Sequence, residues 1–429
     1  LLTAAFIWVL PSICFASGYY IPEVGARAMA LGGAFTARAD DLTALFINPG
    51  GLSKVKGTNI LLEDGVILLH AEFLRAGKYP PVKNDFRMGH IPFVGISSDF
   101  GLDDLVFSIG GYGPYGAPEI TYPRNGPQRY NVIRGMNEQI FYSLGIGWRP
   151  FESLRVGVAL SMVDVFIAYS FMYAPLGGED PATDVFVETK LEDRYNFTCS
   201  PGVIYSPFPS LEVGASYIPP IPVKAKGPIR AHIPQSLVIF TDGVTDTSDD
   251  VEVDVTLPQI VRVGVRYLPI HTLDLVLDIV WMQWSRIKRY PLDFKNNSLI
   301  PPSEAFGPLA DTALPKEWHD TIGVGIGAEY ALESIVKRLS LRGGYFFEQG
   351  AIPERTMDAS NLDSDKHGVT IGFGWTIGQF RVDGAYSHIF QADRYVRDSI
   401  AGIEGRGQAE GEYRASWDNV SLGIAWGFK

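Results

Sequence analysis

Val420-Ser-Leu-Gly-Ile-Ala-Trp-Gly-Phe428 (VSLGIAWGF) closes the chain with strict alternation. Val420, Leu422, Ile424, Trp426 and Phe428 share one face of an extended strand, and Ser421, Gly423, Ala425 and Gly427 share the other. Nine residues of period two match the length that a tilted strand needs to cross a bilayer. The same pattern recurs upstream. Val369, Ile371, Phe373, Trp375 and Ile377 alternate with Thr and Gly, and Ile322, Val324, Ile326, Ala328 and Tyr330 alternate with Gly323, Gly325, Gly327 and Glu329. Val251, Val253, Val255 and Leu257 alternate with Glu252, Asp254 and Thr256.

A soluble β-sandwich also alternates, so the polar face has to be weighed. It repeatedly carries charge: Arg262, Asp274, Asp278, Arg342, Arg381 and Asp383. In a sandwich that face meets solvent; in a membrane barrel it lines the lumen, while the apolar face meets lipid. Periodicity cannot separate the two, but the connections can. Turn-like links at 101–104, 149–153, 206–210, 267–272, 331–338 and 378–379 alternate with long polar ones near 74–88, 117–136, 173–190, 225–250, 291–317, 350–365 and 392–410. Short periplasmic turns and long outer loops are the outer-membrane pattern. Thirteen connections predict fourteen antiparallel strands from about Gly57 to Phe428, both ends on the periplasmic side. Trp148, Trp281, Trp284, Trp318 and Trp426 near strand ends suit interfacial girdles.

Composition agrees. The 429 residues are 46% hydrophobic, which excludes a disordered chain, and the net charge of −12 argues against a nucleic-acid partner. Two Cys exclude a disulfide scaffold and a Cys-based zinc site. No run approaches eighteen apolar residues, so no transmembrane helix is expected.

Leu1–Leu10 is apolar, Pro11 breaks it, and Ile13-Cys14-Phe15-Ala16 follows, which reads as a signal peptide over 1–16 cleaved after Ala16. With neither Met nor a basic start, it reads as truncated at its N-terminus. The expected address is the bacterial outer membrane. Residues 17–56 do not alternate and are rich in small residues. Asp40 is expected to cap a short helix over Asp41–Phe46, stopped by Asn48-Pro49. Forty residues are too few for a core of their own, and a fourteen-strand barrel is wider than its side chains fill. The expected arrangement is a hatch over 17–56 inside a barrel over 57–429.

Further residues carry a resemblance. Ser17-Gly18-Tyr19, Ala39-Asp40-Asp41 with Asn48-Pro49-Gly50, Gly113-Pro114-Tyr115-Gly116, Thr256-Leu257-Pro258, Trp284-Ser285, Trp318-His319-Asp320 and Leu341-Arg342-Gly343-Gly344-Tyr345 occur in this order. Together they resemble the FadL/TodX family of outer-membrane transporters for long-chain fatty acids and other hydrophobic molecules. The resemblance implies a hatch-plugged barrel, a lumenal ligand pocket touched by the extreme N-terminus, and a kinked third strand that opens a lateral path. It assigns hatch and gating roles to Asn48, Pro49, Gly50 and Gly116, and ligand contact to Tyr19. Two features depart from the family: a short loop near 173–190, and no basic residue over Val165–Ala174 to meet a carboxylate. Lys316 and His319 are the nearest cationic candidates, and a neutral aliphatic or aromatic hydrocarbon is the alternative cargo.

The expected function is passive uptake of long-chain fatty acids or similar hydrophobic molecules by a monomer. The competing class is a surface-binding platform, such as an adhesin or phage receptor, which needs neither hatch nor kink. Outer-membrane lipid, lipopolysaccharide and the barrel-assembly machinery are the expected partners. No enzyme is expected, because there is no G-x-S-x-G and no His at a motif spacing from a Ser. No cofactor or metal is expected either: Asp242–Asp254 is acidic but lacks calcium-loop spacing. The lumen charges Arg262, Asp274, Asp278, Arg342, Arg381 and Asp383 are expected to pair with the hatch.

Overall fold

The computed structural model describes residues 24–176, 179–241, 243–296, 312–333, 336–401 and 408–428. The signal segment and Tyr19 lie outside them. Fourteen antiparallel strands close into a barrel. They are β1 (Thr58–Arg75), β2 (Met88–Ser98), β3 (Leu105–Thr121), β4 (Arg134–Phe151), β5 (Leu154–Tyr173) and β6 (Val185–Phe208). Four strands follow in two segments each: β7 (Leu211–Ile218, Ile221–His232), β8 (Asp246–Leu257, Ile260–Ile270), β9 (Leu273–Met282, Arg289–Phe294) and β10 (Thr312–Pro315, Thr321–Ala331). The last are β11 (Leu339–Glu348), β12 (Lys366–Ile377), β13 (Phe380–Gln391) and β14 (Gly411–Phe428). The closing seam pairs β1 with β14 from Thr58–Phe428 to Arg75–Gly411. The C-terminal stretch therefore works as a strand whose Val420, Leu422, Ile424 and Trp426 point outward and exposed, as do Leu62, Ile109 and Leu144 elsewhere. Exposure of apolar side chains in a row is what a lipid-facing wall requires.

All six short turns fall where the alternation breaks. The links expected near 117–136, 173–190 and 225–250 are shorter than expected, because the strands continue above the apolar band. Over 225–250 most residues are strand, leaving 233–245 as the link. Charged residues at its edges sit on a sheet that outward cross-strand pairs hold, Lys224–Asp254 at 3.2 Å and Lys226–Glu252 at 3.3 Å. The acidic stretch is thus largely β8 rather than a solvated loop, and among the described residues no acidic or His/Cys group is placed to hold a metal ion.

β7 to β10 break at one level, at Pro219-Pro220, at Pro258-Gln259, and over 283–288 and 316–320. Proline removes ladder donors, so two of these breaks follow from sequence. Trp284 and Trp318 fill the belt, fully buried and edge-on with centroids 5.3 Å apart. They are interior residues, not girdle residues as the sequence suggested; Trp148 and Trp426 are exposed on the wall.

Residues 24–56 run inside the barrel. Helix α1 (Ala26–Ala30) lies against β12, β13 and β14, and the 3-10 turn Pro49–Lys54 against β4, β5 and β6. Wall glycines let the two backbones touch: a β-carbon on Gly157 would collide with the Pro49 carbonyl, one on Gly214 with Thr36, and one on Gly325 with Gly32. Helix α2 (Ala44–Ile47) starts later than expected. Asp41, not Asp40, supplies the turn acceptor, taking the Thr43 amide at 2.9 Å, while Asp40 is drawn away by Arg27 and Arg38.

Candidate transport pathway

The lumen has two storeys. In the lower one the hatch is held by hydrogen bonds and buried ion pairs. Asn48 is fully buried. Its Nδ2 donates to the carbonyls of Thr36 (2.8 Å) and Val203 on β6 (3.1 Å), and its Oδ1 accepts the Gly50 amide at 3.1 Å. Pro49 and Gly50 begin the 3-10 turn that this acceptor caps. Asp278 accepts the backbone amides of Phe35 (2.9 Å) and Thr36 (2.8 Å). Arg38 reaches Asp274 at 3.1 Å and Glu329 at 2.9 Å. Arg342 pairs with Glu329 and, at 2.8 Å, with Asp383, which also holds Arg381 at 2.9 Å. Lys54 meets Glu212 at 2.8 Å, and Arg262 stands 4.7 Å over the Phe46 ring. Burial alone would raise the Asp40 carboxyl, but Arg27, Arg38 and then Arg266 and Lys54 outweigh it and hold it well below the usual carboxylate range.

Of the wall charges singled out in sequence, Arg262, Asp274 and Asp278 meet the hatch directly, and Arg342, with Asp383 and Arg381 behind it, meets it through Glu329. Their hatch partner Arg38 was missed, as were Arg27, which braces the hatch from within through Asp40 and Asp41, and the wall residue Glu329. Parity carried a signal for Glu329, which continues the inward row of Gly323, Gly325 and Gly327.

The upper storey is a cavity of about 230 Å³. Its wall is mostly apolar, with Ile120, Val165, Ile167, Val253, Leu292 and Phe294 among the lining residues. Lys316 lines it, at the break in β10, with its ammonium 5.2 Å from the Tyr290 ring centre and 3.8 Å from Asp358. His319 does not belong to the lining; its backbone amide donates to Ala351 at 2.9 Å. The sequence paired Lys316 with His319, and the structure separates them.

Beside the cavity the wall is incomplete. β2 pairs with β1 along its whole length, but with β3 only from Phe93–Tyr112 to Ser98–Phe107. Beyond that rung, a continued register would oppose Pro92 to Gly113 and Ile91 to Pro114. Neither proline has an N–H to donate, so the ladder stops. β3 also shifts register against β4 twice, between Tyr112 and Tyr115 and between Ala117 and Ile120; Pro114 lies within the first shift and Pro118 within the second. Gly116 falls between them, in the regular stretch opposite Glu138. The irregularity sits at the prolines on either side rather than at the glycine. The Asp85 amide bonds Thr121 at 2.7 Å and bounds the gap above.

A closed barrel, a filled lower lumen and an apolar cavity beside a gap in the wall invite comparison with known proteins. Residues 7–428 match the family described as outer membrane protein transport protein (OMPP1/FadL/TodX). The chain belongs to this family. An outer membrane protein of Neisseria meningitidis serogroup B is 22% identical, with 96% of this chain and 95% of that one covered. A Pseudomonas aeruginosa FadL homologue superposes with a TM-score of 0.81 at 14% identity, over 96% of this chain and all of that one. The toluene transporter TodX of P. putida gives 0.69 at 17% identity, over 96% and 99%. This FadL/TodX member is an outer-membrane transport protein.

Proposed function

We propose that a small hydrophobic molecule enters from the outer face, rests in the upper cavity, and leaves sideways through the gap between β2 and β3. The observation that carries this reading is the coincidence of the two features: Ile120 on β3 lines the cavity, and so does Gln139, the β4 partner of Tyr115. The hatch below blocks the straight route to the periplasm, and a sideways exit spares an apolar cargo the transfer into water. A surface-binding platform would have no use for either feature. Engineered apolar cavities of about 150 Å³ hold benzene, so 230 Å³ has room for a monoaromatic ring or a folded aliphatic chain. By their apolar chains alone, fatty acids and neutral hydrocarbons both suit this route, and the toluene transporter TodX shares the fold. Gating belongs to the hatch turn at Asn48, Pro49 and Gly50.

The test closes the gap. Ile91→Cys and Pro114→Cys, in a Cys199→Ser background, place two thiols where a continued ladder would set them opposite each other. In cells lacking their own importer, oxidation is expected to abolish uptake of labelled toluene, and a reductant to restore it. Undiminished uptake through an oxidised, folded barrel would refute the lateral route.

A further inference from the structure

The link between β11 and β12 does not project outward. It folds back into the barrel mouth and roofs the cavity: Ala351, Ile352, Met357 and Ala359 are buried. The Thr356 hydroxyl donates to the Lys316 carbonyl at 2.6 Å, the Arg394 guanidinium to the Ile352 carbonyl at 2.6 Å, and the Ile400 amide to Arg355 at 2.8 Å. This roof delivers one carboxylate into the cavity. Asp358 Oδ1 accepts the backbone amides of Ser360 (2.8 Å) and Asn361 (3.2 Å), which fixes the side chain, and Oδ2 faces the Lys316 ammonium at 3.8 Å. Among the described lining residues Lys316 is the sole cation and Asp358 the sole anion.

We propose that Asp358 is a specificity-determining residue that makes the cavity select neutral cargo and reject carboxylates. The inference rests on the cavity being the cargo site. A carboxylate taken from water into an apolar enclosure requires an uncompensated cation. Lys316 would be that cation, and Asp358 already compensates it. A fatty-acid anion would leave the enclosure with one net negative charge and two carboxylates competing for one ammonium. An alcohol, an alkane or an aromatic ring brings no such charge. The roof, rather than the strand wall, would then set the head-group preference.

The experiment uses the full chain in a neutral detergent at pH 7.5, with a neutral fluorescent naphthylamine as cavity probe and decanol or decanoate as competitor. Wild type is expected to release the probe to decanol at a concentration at least tenfold lower than to decanoate. Asp358→Asn keeps the Oδ1 acceptor for Ser360 and Asn361 but removes the charge. It is expected to tighten decanoate at least tenfold and leave decanol unchanged. Asp358→Glu restores the wild-type preference, and adding Lys316→Met to Asp358→Asn abolishes the gained decanoate binding, outcomes that a merely structural aspartate would not produce. An unchanged decanoate-to-decanol ratio in a probe-binding Asp358→Asn protein overturns this inference alone. A wild type that binds neither probe nor decanol overturns the cavity reading and this one with it.

Discussion

Replacing Asn48 by Ala tests how the hatch is held. The side chain makes three hydrogen bonds and is fully buried, so no water takes over its partners. At about 1 kcal/mol for each bond, the loss is about 3 kcal/mol, with the stranded Thr36 and Val203 carbonyls adding to it. Since 1.4 kcal/mol is a factor of ten, the hatch should open about 150-fold more often. The strand ladders are untouched, so the barrel should keep its heat-modifiable gel mobility. Hydrogen exchange at the amides of Phe35, Thr36 and Gly50 reads the opening directly. Rates there should rise about 150-fold, while those in β1 and β14 stay constant, and hydrophobic uptake should fall. Asn48→Asp sharpens the test, because it keeps the acceptor for Gly50 but turns an oxygen toward two carbonyls; its rates should exceed those of the alanine variant. A rise of less than threefold in the alanine variant would mean that Asn48 does not hold the hatch.

The ion pairs make a second test. Arg38→Met leaves Asp274 and Glu329 short of a partner in a buried site and should cost the docked hatch about 3 kcal/mol, read by the same exchange. A third concerns the outer loop that carries Glu179. Burial would raise this carboxyl, but Arg75 at 2.8 Å and Tyr79 at 3.0 Å outweigh it and lower it below its ordinary value of 4.5. Its folded pKa is therefore depressed, so its contribution is complete above that ordinary value and disappears as pH falls through the folded one. Protease cleavage of this loop should be constant from pH 8 to about 5 and accelerate only at more acid pH; acceleration near pH 6 would contradict the pairing.

The strand count and the turns were legible because the lipid wall imposes period two on every strand, and Gly378-Gln379 or Gly101–Asp104 interrupts it sharply. The upper ends of the strands were not. Above the membrane the outward face turns polar, and Lys226, Arg230, Asp246 and Asp250 read as loop residues until their register shows them in paired strands. The lower site was half legible: wall charges such as Asp278 and Arg342 stand out against Gly and Ser, whereas Arg27 and Arg38 sit in a segment with no periodicity to orient them. The resemblance pointed to the region of the gap through Gly116, but its two prolines, Pro114 and Pro92, matter only once β2 and β3 are aligned. Asp358 carried no local signal, because nothing in 350–365 announces that the link turns inward.

The seats at Gly157, Gly214 and Gly325 have a further consequence. They bring wall and hatch together main chain to main chain, so they register the path of the inner segment and not its side chains. Substitutions on the inner segment that leave its trace alone should be forgiven, whereas each seat admits a single residue type. The plainest residues in the wall are thus its template: they store the shape of the plug in the absence of anything that could be called a motif.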